Sequence, residues 1–362
     1  MRFDYEQVHL FASELLRALG ASPEAAFHVA TSLVKADQIG YDTHGVGLLP
    51  LYSQMISSGA IVPSASPVAE KITDAICRVD GHLAFGQLTG EEATKTAIES
   101  ADNHGISVCA IGNGSHLGRL GEWAEEASSR GMVFLAFTNT GGGAKNVAPF
   151  GSHERKLSTN PIAFGVPTFG ALQHNIIVDF ATSQVSGSVI REHDRTGAQL
   201  DSEWTITDSG KAVPGARSFM EGIGAMLPLG GRVTGHKGYG LAIIAELLGG
   251  LAGGVVVGQE DPEWFSNAAM FIVIDPTRFL SIGEIEEQIT AIAEHLRDDN
   301  VRLPGEGAHD HKLSAEKSGV DILEYVLESL ATLAVDLNVE IPAFLSHFRT
   351  RATDSNDKHK TW

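Results

Sequence analysis

Apolar residues recur at helical spacing from the start of the chain. Val8, Phe11, Ala12, Leu15 and Leu19 share one face of a segment that stops at Gly20, and Asp4 with Gln7 looks like a capping box at its head. Ser22 and Pro23 read as N-cap and first position of a second helix, with Phe27, Ala30, Leu33 and Val34 expected on its inner stripe. Asp42 or Thr43 is then expected to cap a third helix carrying Leu48, Leu49, Tyr52 and Met55. His44 would fall in its first turn, where a helix's positive end keeps an imidazole neutral. A histidine that only stitches the turn together is the plainer alternative.

The period changes after a Gly/Pro/Ser-rich connection at 57–67. Short apolar strands (75–79, 106–111, 132–137) alternate with helical patterns (about 90–103 and 119–129), which predicts an α/β layer. A polar, glycine-rich loop spans 138–151, of the kind that holds sites or lids more often than it merely connects. Ser158 to Pro161 follow, then a strand ending in Asp179-Phe180-Ala181-Thr182-Ser183. A carboxylate and hydroxyls at a sheet edge suit ribose or phosphate, and Asp179 as a helix cap is the alternative.

Residues 184–235 are weakly periodic and predict only loops and short elements. Gly235-His236-Lys237-Gly238 then opens an apolar segment. Its stretch 239–257 is long enough to span a bilayer, but Glu246 and two glycine pairs interrupt it, so a buried core helix and turn is expected. Residues 268–275 read as a strand, Ser281 with Glu284 as a capping box, Leu303 to Glu306 as a turn and 322–335 as a last helix before a polar tail after Thr350. His309-Asp310-His311 has metal-like composition but sits in a charged loop, and is read as solvated surface with no metal. These patterns divide the chain into a helical N-terminal domain (1–75) carrying His44, an α/β core (76–300), and a C-terminal helical segment (301–362) that packs back on the first domain.

With 362 residues, 43% hydrophobic and 20% charged, the chain needs no disulfide to hold a core. A net charge of −19 argues against nucleic acid or an anionic membrane as partner, and any anionic substrate would need locally placed cations. Cys77 and Cys109 sit inside apolar runs, as free thiols would in a reducing, cytoplasmic compartment. Arg2, Asp4 and Glu6 interrupt the opening residues, so a secretory signal is not expected there.

Candidate chemistry centres on Gly112-Asn-Gly-Ser-His-Leu-Gly118, between an apolar run and a helical pattern. A glycine-rich strand-to-helix turn lets backbone approach a phosphate, and His116 adds a proton donor and acceptor at the same place. As a Rossmann fingerprint it fails twice: its last spacing is one residue too long, and the acidic residue expected about 20 positions on is absent at Phe137 to Thr140.

The blocks Asp42-Thr-His-Gly-Val-Gly, Gly114-Ser-His-Leu-Gly-Arg-Leu-Gly, Ala148-Pro-Phe-Gly, Ser158-Thr-Asn-Pro, Asp179-Phe-Ala-Thr-Ser, Gly235-His-Lys-Gly-Tyr-Gly and Leu303-Pro-Gly-Glu occur in that order. Together, from about residue 4 to 345, they resemble the type 2 malate/L-lactate dehydrogenase family, and within it the hydroxycarboxylate dehydrogenase B subgroup. The resemblance implies an α/β fold with a non-Rossmann nicotinamide-binding domain and helical N- and C-terminal parts, a homodimer, and an active site at the junction of the N-terminal part and the nicotinamide domain. It implies hydride transfer between NAD or NADP and a 2-oxo or 2-hydroxy acid such as malate, lactate or a bulkier aromatic acid. Reduction of a cyclic imino acid such as piperideine-2-carboxylate, or non-catalytic nucleotide binding, are the alternatives.

The same resemblance makes His44 and His116 the active-site histidines. It assigns cofactor contacts to Gly118, Arg119, Leu120, Thr140, Asp179, Phe180, Ala181, Thr182, Ser183, His236, Lys237, Asn267, Pro304, Gly305 and Glu306. Many members carry a carboxylate-binding arginine four residues after the first histidine, where this chain has Leu48. Arg119 or Lys237 is expected to take over that role beside His44, with Leu48 making the substrate pocket tolerant of bulk.

Overall fold

The computed structural model describes residues 1–259, 266–297 and 301–348; the polar tail after Thr350 lies outside them. The chain divides into two compact units, Met1–Ser66 with Arg302–Trp362, and Pro67–Val301.

The first unit is built from α1 (Tyr5–Ala18), α2 (Pro23–Gln38), α3 (Leu49–Ser57), α11 (Glu306–Ser318) and α12 (Glu324–Asp336). A short antiparallel pair joins β1 (Arg2–Phe3) to β11 (Val320–Asp321). Asp4 caps α1 by accepting from the Glu6 and Gln7 amides, and Ser22 Oγ accepts from Ala25 N at 3.1 Å to cap α2. Leu15, Leu16, Leu33, Leu49, Tyr52, Met55 and Leu330 fill the core between these helices.

Three expectations change here. Phe27 faces outward, its ring edge-on to His9 of α1 at 4.8 Å. The third helix begins at Leu49, with Pro50 in its first turn; Asp42–His44 and Val46–Leu48 form separate 3₁₀ turns hinged at an extended Gly45. His44 therefore stands outside α3. Finally, His309 to His311 lie on α11, which starts from a left-handed Gly305 (φ 94°), and not in a loop.

The second unit holds a seven-stranded mixed sheet. Its strands are β2 (Val68–Lys71), β3 (Ile76–Asp80), β4 (Ile106–Gly114), β5 (Val133–Asn139), β6 (Ile162–Val166), β7 (Ile176–Phe180) and β10 (Asn267–Ile274), in the spatial order β2-β3-β4-β10-β5-β6-β7. Only β3 and β4 run parallel, so a doubly wound parallel sheet is absent from the described residues. Because β2 pairs with β3, the unit starts at Pro67 and not at residue 76.

α4 (Gly86–His104) and α5 (Leu120–Ser129) cover one face, packing Ala93, Ala97, Trp123 and Ala124 against Cys109, Ile111, Phe134 and Phe271. Cys77 and Cys109 are register partners across β3 and β4, both buried and free. The intervening stretch 184–235 holds α6 (Gly187–Thr196), β8 (Thr205–Ile206), α7 (Ala216–Met220), β9 (Ala225–Met226) and α8 (Gly231–Thr234), around Val147, Ile190, Phe219 and Met226. Beyond the sheet, α10 (Ile282–Leu296) carries the full Ser281–Glu284 capping box.

α9 (His236–Leu251) packs on β5 and β10, where Asn139 and Ala268 point away from the α4 side. It buries small residues (Ala242, Ala245, Gly249), while Ile244, Leu247 and Leu251 are exposed. The expected core helix is therefore buried on one side only. Its one buried charge, Glu246, accepts from Asn160 Nδ2 at 2.7 Å and Val257 N at 2.8 Å, tying the helix to two loops.

Candidate active site

His116 sits in the turn between β4 and α5, and every residue around it is held from a different direction. Ser115 Oγ donates to Ala84 O at 2.6 Å, and Leu117 N donates to Asn267 Oδ1 at 2.9 Å. Trp123 Nε1 reaches back to Leu117 O at 3.3 Å. Gly118 takes a left-handed φ of 72°, which lets the chain turn into α5. A Cβ at Gly86 would overlap the His116 carbonyl, so the first residue of α4 has to be bare for the turn to lie there.

The start of α5 is locked by a second network. Gly121 N donates to Asp179 Oδ2 at 2.7 Å, and Arg119 Nη2 meets Glu125 Oε2 at 2.7 Å. Burial raises the Asp179 pKa, with the Arg119 charge and the Gly121 amide pulling the other way. Burial likewise works against the Arg119 charge, but Glu125 and Asp179 outweigh it and raise its pKa. Arg119 is thus answered from within the fold and 4% exposed, which commits it to the turn.

Electrostatics at His116 favour the neutral ring. Burial, and then the positive charge of Arg191, push its pKa down to about 4. Arg191 lies on α6; its Nη2 donates to Ser188 Oγ at 2.7 Å, and burial with the nearby Arg195 brings its own pKa down to about 10. No sequence signal marked Arg191, because the 184–235 stretch lacks the periodicity that would place its helix.

The remaining residues singled out from the sequence divide clearly. Asn267 is a strut: it accepts from Leu117 N, and its amide donates to Asn139 O at 2.9 Å. Thr182 Oγ1 donates to Thr159 O at 2.9 Å and Ser183 Oγ to Val185 O at 2.7 Å, fixing the loop that begins at Ala181, just after Phe180 closes β7. Leu120 is buried at the head of α5. His236 and Lys237 are exposed at the start of α9, His236 against the Phe150 ring. Among the described residues the buried Thr140 Oγ1 and Asn160 Oδ1 have no hydrogen-bond partner, and Gly141 and Gly142 beside Thr140 take left-handed φ angles of 66° and 75°. Orphaned polar atoms beside bare, turned backbone are what a bound nucleotide's hydroxyl and amide groups can satisfy.

His44, Leu48 and the Pro304–Glu306 turn belong to the first unit. His44 Nδ1 lies 3.1 Å from Thr43 Oγ1, and Leu48 is buried. The loop between them is fixed by Asp37, whose Oδ2 accepts from Val46 N at 2.8 Å; a Cβ at Gly45 would overlap that carboxylate. Burial drives the Asp37 pKa well up, against the pull of the Val46 amide. Glu306 Oε2 accepts from Leu303 N at 3.0 Å and closes the turn through Pro304 and Gly305.

Known proteins are similar to this chain in sequence and in fold. The malate/L-lactate dehydrogenase family profile matches residues 3–331. Hydroxycarboxylate dehydrogenase B of Escherichia coli K12 is 31% identical over 334 residues, 89% of this chain and 90% of its own. Malate dehydrogenase from Entamoeba histolytica superposes with a TM-score of 0.87 at 26% identity, over 94% of this chain and 99% of its own. The Δ1-piperideine-2-carboxylate reductase of Pseudomonas syringae pvar. tomato does so with a TM-score of 0.80 at 28% identity, over 92% and 100%. Dehydrogenases of this kind work with a nicotinamide cofactor. The chain belongs to the malate/L-lactate dehydrogenase family.

Proposed function

We propose that this protein is an NAD- or NADP-dependent 2-hydroxycarboxylate dehydrogenase that works mainly as a 2-oxo acid reductase, with His116 as its acid–base group. The observation that carries this reading is the placement of His116, a titratable ring on a rigidly clamped turn at the head of α5. The nicotinamide supplies the hydride in reduction and accepts it in oxidation. The imidazolium gives its ring proton to the carbonyl oxygen as C2 becomes a CH–OH carbon, and the neutral ring takes that proton back in the reverse direction. Gly118 to Leu120, Asp179 to Ser183 and Thr140, with its orphaned hydroxyl, hold the cofactor; His44 is the second candidate for proton transfer.

Two further features go with this reading. Exposed Ile244, Leu247 and Leu251 form an apolar stripe on α9 suited to a homodimer contact. The buried free thiols of Cys77 and Cys109 suit a reducing, cytoplasmic setting. Neutral Leu48 in place of a cation favours bulkier 2-oxo acids, phenylpyruvate over pyruvate.

Likeness to the piperideine-2-carboxylate reductase supports a second reading, reduction of a cyclic C=N bond. Oxidation of NADH and of NADPH against a panel of pyruvate, oxaloacetate, phenylpyruvate and piperideine-2-carboxylate decides between them. The 2-oxo acids are expected to give the higher kcat/KM; preference for the imino acid would select the second reading, and no turnover with any would remove both.

A further inference from the structure

Arg191 has a charge that nothing in the fold answers. Among the described residues no carboxylate pairs with it, and its Nη2 hydrogen bond goes to the neutral Ser188 Oγ. Asp194 on the same helix is taken by Arg217 at 3.0 Å. The side chain folds back along α6, so that Nη1 would lie 3.5 Å from a Cβ at Gly187, in the first turn. That places a guanidinium at the positive end of a helix, with Arg195 nearby adding repulsion. Three positive features converge on a partly buried point, and the charge of Arg191 is felt at His116. An isolated protein gains nothing from this arrangement; a bound anion does.

We infer that Arg191 binds the carboxylate of the substrate, a role that Leu48 cannot fill, and so sets the preference for 2-oxo acids over neutral carbonyl compounds. This rests on the dehydrogenase reading above. A 2-oxo acid carries its carboxylate one bond from the carbonyl to be reduced, so an anchor whose charge reaches His116 draws the carbonyl toward the imidazole. Guanidinium matches a carboxylate through two parallel N–H···O bonds. The rival cations are less suited: Arg119 is bound to Glu125, and Lys237 is exposed at the head of α9.

Arg191→Gln and Arg191→Lys test the assignment in the full-length enzyme, with phenylpyruvate and its uncharged amide as paired substrates. Loss of a charge-assisted contact predicts roughly a 10- to 100-fold rise in KM for the acid. KM for the reduced cofactor and KM for the amide should stay as in wild type, and lysine should recover part of the loss. An unchanged KM for the acid in Arg191→Gln, or a rise in the KM of the cofactor instead, overturns the inference while leaving the dehydrogenase intact. If Arg191→Gln does not fold, Arg191→Lys decides alone: a raised KM for the acid with the amide unaffected supports the role, and an unchanged one rejects it. A wild-type enzyme that reduces no carboxylate-bearing substrate takes away the reading and this inference together.

Discussion

Protonating His116 runs against both its burial and the charge of Arg191. In the free protein at neutral pH the ring is therefore a base, ready for the oxidation direction, and an anion on Arg191 would ease its protonation for reduction. The pH dependence has a definite sign. With the folded pKa near 4 and the unfolded one near 6.5, the unfolded chain binds more protons between those values, so stability falls as pH drops through that window. Urea unfolding at several pH values should show this loss and show it diminished in His116→Gln. The acid limb of kcat/KM for 2-hydroxy acid oxidation should likewise lie near pH 4, and Arg191→Gln should move it upward. Arg119 belongs to a different class of residue. Removing it leaves Asp179 and Glu125 without their cation, so Arg119→Ala should cost about 3 kcal/mol of stability, read by denaturant titration.

At the scale of elements, the turn works because α4 comes close enough for Gly86 to lie against the His116 carbonyl. Gly86→Ala should force the two apart, cost roughly 1–3 kcal/mol and lower kcat in the protein that still folds. Most of these elements were legible beforehand: the caps at Asp4, Ser22 and Ser281, and the strands at 106–111, 132–137 and 268–275, follow from local pattern alone. What local pattern could not reach was long-range. β10 enters the sheet between β4 and β5 from far along the chain, and Asn267 at its start becomes the support for Leu117. α6 stayed hidden because only Ile190 is buried on it, leaving no apolar stripe, and Arg191 was hidden with it. The helix expected over His44 dissolved into two 3₁₀ turns because Gly45 and Gly47 precede Pro50.

For the whole molecule, the net charge of −19 makes local cations decisive for an anionic substrate. The site follows that logic, with Arg191 charged and without a carboxylate partner among the described residues of an acidic protein. The exposed stripe on α9 makes the second claim at this scale. Analytical ultracentrifugation should find a dimer, and Leu247→Lys should shift it toward monomer; a wild-type monomer would contradict the assignment of that face. The central claim is that 2-oxo acid reduction runs through His116. Its most direct test follows reduced-nicotinamide absorbance with the preferred 2-oxo acid for wild type and His116→Gln, after circular dichroism has shown the same fold. Wild type should turn over and the variant should lose about 10²–10⁴ in kcat; full turnover by His116→Gln would contradict this role for the histidine.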